Sequence, residues 1–534
     1  MYFKKYSILL ITMALCLVAV GCKDNLLQTV PNDRVSTATY WKTTNDAKLA
    51  VNNLYNYLYN PVDLMNWAAV SDIATGNGGF NAITHYEHDI ETADGGYGSF
   101  IWNHSYKGIR ACNEFLTHVQ DIKPQSNGDQ KKLAEYKAQA RFMRAYLYTY
   151  LIEFFGNVPL IKKPISVKDA KKLTRTDKSK VWDFISSELQ DAAGNLPITY
   201  NNDNKGRITK GAALAMKARA MLYAGRYSEA AKAAKAVMDL GIYSIYPSYK
   251  DLFSYKAENN SEVILDKEFI KDNEPQGLLG YIGPGSFPHV GSDQEVVPSA
   301  NIVNAYHMKS GLPITDPSSG FDPKHPYQNR DPRLDYSIFV KGDTLPTGIV
   351  YDPRPGFGGA DDISKGFGTT QTGFNIEKYV SKQDIQAPTN SGLNIILIRY
   401  AEVLLTYAEA KIEMNDIDQS VYNAINKVRQ RPDVNMPSIQ PSKTQGEMRK
   451  IVRHEREVEL AFEGFRFFDI KRWGIAEKVM NGPIKGMTYT DKSGNMQTVV
   501  YSDFNRKFVK RDYLWPIPQK ELDLDPKMNQ NPGW

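Results

Sequence analysis

Cysteine is scarce in this chain: its 534 residues include three, Cys16, Cys22 and Cys112. Cys16 and Cys22 fall in or at the edge of an N-terminal segment that reads as removed or modified, which leaves Cys112 alone. An intramolecular disulfide is thereby excluded, and so is a cysteine-based zinc site. Cys112, near Ile109 and Phe115 on a predicted helix, reads as a packed small apolar residue and not as a reactive thiol. Histidine is also rare, at 8 residues. His454-Glu455 has no second histidine four residues on, so the helical zinc-protease pattern fails. There is no Gly-x-Ser-x-Gly elbow, and Gly356 to Gly359 lacks the strand-to-helix setting of a phosphate loop. One-sided charge is missing too. The formal balance is +5, and Lys4 and Lys5 belong to the segment read as removed, so charge gives no argument for nucleic acid. The apolar run from Ile8 to Val20 is too short to cross a bilayer as a permanent helix.

That run reads as a secretory signal, residues 1–21, preceded by Lys4 and Lys5 and ending just ahead of Cys22. Ala19-Val20-Gly21-Cys22 resembles the bacterial lipoprotein box, with Ala19 where leucine is commoner. The resemblance implies cleavage before Cys22 and acylation of that residue. Several acyl chains on one cysteine would anchor the protein stably, where a single chain holds only marginally. Residues 22–44 then form a lipidated leader with little pattern.

Beyond residue 44 the periodicity is helical. Ala47, Val51, Leu54 and Leu58 recur at spacings of three and four, and a second helix is expected from Phe100 to about Val119. Leu133, Tyr136, Ala140, Met143, Leu147, Leu151 and Phe154 make one apolar stripe, ended by Gly156 and kept from resuming by Pro159. Asp177 caps a further helix through Val181, Ile185, Leu189 and Ala192. From Lys210 to Leu240 two alanine-rich helices hinge at Gly225-Arg226, with a spacing that resembles a tetratricopeptide unit. A second such pair runs through Ile398, Ala401, Leu405, Ala408 and Ile412, turns near Asn415, and returns through Val421, Ile425 and Val428. The expected fold is mostly α, with about four tetratricopeptide-like helix pairs stacked in one scaffold. Residues 45–240 and 398–534 merge into that body, and 241–397 form a large loop-rich insertion with short strands. Between Pro275 and Pro388 lie 13 of the 28 prolines. Long loops on a rigid scaffold are where binding residues concentrate.

The C-terminal part carries the most specific strings: RYAEVLLTYAEAK from Arg399, RHEREVELAFEGFRFFDIKRW from Arg453 and YLWPIPQKELDLDPKMNQNPGW from Tyr513. Together with NRDPRL from Asn329, NAYHMKSGLPI from Asn304 and FGNVPLI from Phe155, they resemble the signature blocks of the SusD/RagB family of nutrient-binding outer-membrane lipoproteins. The resemblance spans nearly the whole mature chain. It implies a helical scaffold with a loop-rich ligand face, and a SusC-like TonB-dependent transporter barrel as partner, over which the lipoprotein acts as a lid. With no catalytic motif found alongside this resemblance, no enzyme activity is expected, and no cofactor or metal. Most residues of these blocks read as structure. In RHEREVELAFEG, ion pairs are expected along one face, Arg453 with Glu457 and Arg456 with Glu459, inside a partly buried network. Trp515 and Trp534 read as packing aromatics of a tail that tucks back.

The function expected is capture of a glycan at the cell surface and its delivery to the barrel. Sugar rings stack an apolar C–H face on aromatics while their hydroxyls seek polar partners, and the chain has 32 tyrosines. One candidate region follows the first helix: Trp67, Asp72, Asn77, Phe80, His85 and Tyr86, among Gly76, Gly78 and Gly79. A second comes from the proline-rich insertion: Phe287, His289, Asp293, Tyr351 and Phe357. Asp361-Asp362 is too slight a pattern for a calcium site. The variant reading is an oligopeptide-binding RagB-like protein. The competing class is a surface glycoside hydrolase, whose two carboxyl groups at fixed separation a sequence does not display.

Overall fold

The computed structural model describes residues 40–77, 86, 92–288, 294–366 and 368–534, with the backbone alone at 202 and 502–504. The signal segment, Cys22 and the leader to residue 39 lie outside the described residues.

Helices begin where side chains satisfy otherwise orphaned N–H groups. Thr43 and Asp46 form a reciprocal capping box that opens α1 (Thr44–Leu54), which buries Ala47, Val51 and Leu54 as its stripe requires. Pro61 occupies the first turn of α2 (Pro61–Ala69), where its missing N–H costs nothing. Next come α3 (Gly96–His118) and α4 (Asn127–Phe155), the latter capped by Ser126 and stopped by Gly156 in the left-handed region at φ +69°. Asp177 caps α5 (Lys178–Asn195) and Thr209 caps α6 (Lys210–Tyr223). α7 (Tyr227–Met238) follows the left-handed Gly225. After the insertion come α8 (Tyr400–Glu413), α9 (Gln419–Arg429), α10 (Gln445–Glu459) and α11 (Arg466–Arg472).

These helices pack in serial order: α1 and α3 on α4, then α4 on α5, α5 on α6, α6 on α7, α7 on α8, and α8 on α9 and α10. α6 and α7 bury Ala212, Ala215, Ala230 and Ala234, small side chains that suit close packing of the two helices. The stack continues from α7 to α8 across the whole insertion, as a layer of mutually covering helix pairs must. Cys112 is fully buried in α3, and burial pushes its thiol up to about 12. Among the described residues no helix is long and apolar enough to cross a membrane.

Strands are short and paired two by two. β1 (Ala74–Gly76), β2 (Val263–Lys267), β3 (Val296–Pro298), β4 (Ile338–Phe339), β5 (Asn375–Ile376), β6 (Ile395–Arg399), β7 (Gly482–Thr490) and β8 (Met496–Arg506) form the antiparallel pairs β1–β3, β2–β6, β4–β5 and β7–β8. β2–β6 closes the neck of the insertion and leads straight into α8. The β7–β8 hairpin adds a strand pair to the helical C-terminal region. Its turn carries Gly494 at φ +86°, and its second arm reads MQTVVY, rich in β-branched residues.

The charge network is real, but its pairs differ from those expected along α10. Arg453 reaches Glu413, Arg456 binds Asp469, and Glu457 meets Arg466. Glu459 is held by Arg333 at 2.8 Å, Arg399 at 2.7 Å and Arg431 at 2.8 Å, all fully buried. Pairs within one helix surface are weak. Here charged side chains instead tie α10 to α8, to the neck at Glu262 and Arg399, and to the Asn329–Leu334 motif through Arg333. The tail tucks back: Trp515 stacks on Tyr86 at 3.8 Å between ring centres, and Asn531 donates to the Phe155 and Trp515 carbonyls.

Candidate functional site

The two candidate regions, far apart in sequence, meet in space. β1 pairs with β3 through Ala74–Pro298 and Gly76–Val296, and the Asn77 N–H donates to the Glu295 carbonyl. Past that pairing, side-chain amides replace strand hydrogen bonds. Asn77 donates to the Thr369 carbonyl and accepts from the Gln371 N–H, both at 3.0 Å. Gln294 donates to the Gly368 carbonyl and accepts from the Asn375 amide, and Asn375 in turn accepts from the Tyr351 hydroxyl. The β7–β8 hairpin seats on the same segment: Met487 N–H donates to the Thr372 carbonyl, and a Cβ at Gly486 would collide with that carbonyl. Residues 368–375 are thus the hub onto which both regions and the hairpin are fastened.

Several candidate residues serve this assembly and are not at its surface. Trp67 lies in α2, not in a loop, and is fully buried against Tyr59, Tyr150 and Phe468. Asp72 is buried in a bidentate pair with Arg466 at 2.7 and 2.8 Å. Tyr86 is buried, stacked on Trp515, and its hydroxyl accepts from the Gly98 N–H. Phe287 and Tyr351 pack with Leu279, Phe339, Leu345 and Ile385 in a small second core. A buried ring has no free face for a ligand, so these are corrections. Composition marked the segments but not which way each side chain points. Asn77 is half-buried and fully used in fastening. Phe80, His85, His289 and Asp293 lie outside the described residues.

Phe357 is a partly exposed candidate among the described residues, and it leads to the site. The Arg354 guanidinium lies 3.7 Å over its ring, while Arg354 also grips Asp352 through two hydrogen bonds of 2.8 and 2.6 Å. Lys492, at the hairpin tip, approaches the same ring at 5.6 Å. Phe357 is therefore a platform for cations. The turn beneath it is set by Asp362. Burial opposes ionisation there, but hydrogen bonds from Ser364 and from the Gly356 and Gly358 N–H groups draw its carboxyl down to about 2.

Beside this platform, between the hairpin and the 323–328 loop, opens a pocket of about 210 Å³. Tyr327 and Tyr489 give it ring surface. Thr488, Thr490 and Gln328 supply hydroxyl and amide groups, and Lys324, His325, Lys341 and Arg354 complete its polar wall. The loop is rigid. Pro323 and Pro326 restrict it, Asp322 accepts from Lys324 N–H and pairs with His325 at 2.7 Å, and buried Arg330 donates to the Pro326, Val303 and Tyr306 carbonyls. Sequence reasoning missed Tyr327 and Tyr489. The available signal was the alternation of Thr488-Tyr489-Thr490 ahead of a glycine turn, which marks an exposed hairpin arm. Among the described residues no group of three or more His, Cys, Asp or Glu side chains could hold a metal ion.

A family model described as "SusD family" matches residues 261–534, and a second, described as "Starch-binding associating with outer membrane", matches residues 68–222. The chain belongs to the SusD family. A solved SusD-like carbohydrate binding protein of Bacteroides fragilis is 32% identical, with 92% of this chain and 100% of that one covered at a TM-score of 0.83. Another solved SusD-like protein of that species is 25% identical over 95% and 100% of the two chains, with a TM-score of 0.81. A SusD-like protein of Formosa agariphila is 28% identical over 99% of this chain and 100% of its own. The strings that carried the SusD resemblance fall on α8, on α10 and α11, on the buried Arg333 and Arg330 anchors and on the tucked tail. They encode the SusD scaffold, while the pocket is built from segments without such strings.

Proposed function

We propose that this protein is a surface lipoprotein that captures a glycan on its loop-rich face and delivers it, without chemistry, to a SusC-like TonB-dependent barrel over which it acts as a lid. One observation carries the reading: a rigidly held pocket with tyrosine rings and hydroxyl and amide partners, on the loop face of a SusD-family scaffold. Aromatic faces beside polar groups suit a sugar ring. The relative from Bacteroides fragilis is described as carbohydrate binding, and the second family description names starch binding and outer-membrane association, which supports both substrate class and place. At about 210 Å³ the pocket is smaller than the ~300–1,000 Å³ that encloses a drug-sized ligand. It suits one ring of a longer chain whose remainder stays in solvent.

Calorimetry of the soluble protein lacking residues 1–22, against panels of oligosaccharides and oligopeptides, tests the reading. Binding to glycans is expected. Binding confined to peptides would replace it with the RagB-like variant, and sustained product release from a bound glycan would make the protein a hydrolase. The anchor has its own test: Cys22→Ala is expected to move the protein from the membrane to the soluble fraction, and co-purification of the anchored form should bring down a TonB-dependent barrel.

A further inference from the structure

The pocket wall is electrically one-sided. Lys324, Lys341, Arg354 and His325 line it, and no carboxylate does among the described residues. The carboxylates nearby are already engaged. Asp352 is gripped by Arg354, Asp322 by His325 and its own turn, and Asp491 by the Ser493 and Asn495 N–H groups and the Gln497 amide. Lys324 and Lys341 are exposed and, among the described residues, neither ammonium has an ion-pair or hydrogen-bond partner. Lys492 extends the positive rim from the hairpin tip. Arg354 is fixed by Asp352 below and by the Phe357 ring, so its position is set before any ligand arrives.

We propose that this pocket selects an anionic sugar ring, one bearing a carboxylate or a sulfate, stacked against Tyr327 and Tyr489 with its charged substituent between Lys324 and Lys341. The inference rests on the glycan-capture reading and names its substrate class. Two free ammonium groups facing an aromatic-walled recess attract an anion that a neutral ring does not offer, and charge-assisted hydrogen bonds are roughly twice as strong as neutral ones. Their exposure makes the attraction sensitive to salt. Tyr489 stands on the hairpin arm and Tyr327 on the rigid loop. The rings therefore grip the sugar body while the lysines read its substituent.

The experiment compares three matched oligosaccharide sets by calorimetry: neutral, uronic-acid-bearing and sulfated. Wild-type protein is expected to bind at least one acidic set at least tenfold more tightly than the neutral one, with the advantage shrinking as sodium chloride rises. Which acidic set prevails identifies the source of the charge. The double variant Lys324→Gln/Lys341→Gln should bring the ratio of acidic to neutral affinity down toward one and keep its melting temperature. Equal affinity for neutral and acidic sets, or a preference that survives the double variant, overturns the inference and leaves glycan capture standing. Failure of the folded wild type to bind any glycan would bring down both.

Discussion

Glu459 shows what a single side chain does in this fold. Its carboxylate sits among three buried guanidinium groups, and although burial opposes ionisation, Arg399, Arg431 and Arg333 hold it well below the usual carboxylate range. Removing one partner of a buried ion pair leaves the others uncompensated, at a cost of about 3–5 kcal/mol. Glu459→Gln is expected to lose stability on that scale in urea unfolding, and a loss under about 1 kcal/mol would show that the network carries little. Arg330 is the counterpart on the ligand side. Among the described residues it forms no ion pair with a carboxylate, and it spends its donors on the Pro326, Val303 and Tyr306 carbonyls, holding the pocket loop from beneath. Arg330→Ala should free that loop and weaken glycan binding, with Lys324 and Tyr327 still present. Unchanged affinity would mean that the prolines alone fix the loop. Neither role was legible beforehand, because spacing along one helix gives candidate pairs, whereas the pairs formed join separate elements, from Glu457 with the nearby Arg466 to Glu459 with the distant Arg333.

Elements divide sharply in how well the sequence announces them. The apolar stripe of α4, its stop at Gly156, the Asp177 cap of α5 and the Gly225 hinge between α6 and α7 all stand where local rules put them. Helix periodicity and capping act within a few residues, so a single strand of sequence contains them. The hairpin escaped because it lies amid helical blocks, and the hub at 368–375 escaped because its hydrogen bonds run through side-chain amides of Asn77, Gln294 and Asn375. For the same reason the pattern along the chain singles out Trp67, Tyr86, Phe287 and Tyr351 as ring surfaces without telling that each is buried. The hairpin's docking gives a prediction at this scale. Gly486 faces the Thr372 carbonyl without room for a Cβ, and overpacking a close contact costs about 1–3 kcal/mol. Gly486→Ala should lift the β7–β8 arm and carry Tyr489 away from Tyr327. Glycan affinity is expected to drop at least several-fold while the far-UV circular dichroism stays unchanged. Full affinity would detach the pocket from the hairpin's seating.

At the scale of the molecule, a helical stack with an ionic interior carries a loop face, and the two halves answer pH in different ways. His307 and His454 stack at 3.8 Å in the junction between α10 and the segment after β3, and burial, aided by the neighbouring His454 ring, draws His307 down to about 4. A neutral folded imidazole stabilises most above its ordinary value of 6.5, and that contribution is lost as pH falls from there toward 4. Raised carboxyls act in the opposite sense. Burial, reinforced by Glu268, pushes Asp266 up to about 7, and burial, reinforced by Asp343, pushes Glu377 up to about 8. Their folded states hold protons that the unfolded chain has released, so their contribution is complete below the ordinary carboxylate range and drains away as pH rises through 7 and 8. Burial draws Lys267, Lys378 and Lys471 down to about 8, so their offset to this loss grows in as pH approaches 8 and continues above it. Between pH 6.5 and 7.5 the histidines are mostly neutral and these lysines mostly charged, so the raised carboxyls, with Glu153 and Glu457 pushed up by burial to about 7 among them, set the slope. Melting temperature is therefore expected to fall across that interval, and Asp266→Asn together with Glu377→Gln should flatten the fall. A wild-type curve that is level or rising from pH 6.5 to 7.5 would mean that these carboxyls are already ionised in the native protein.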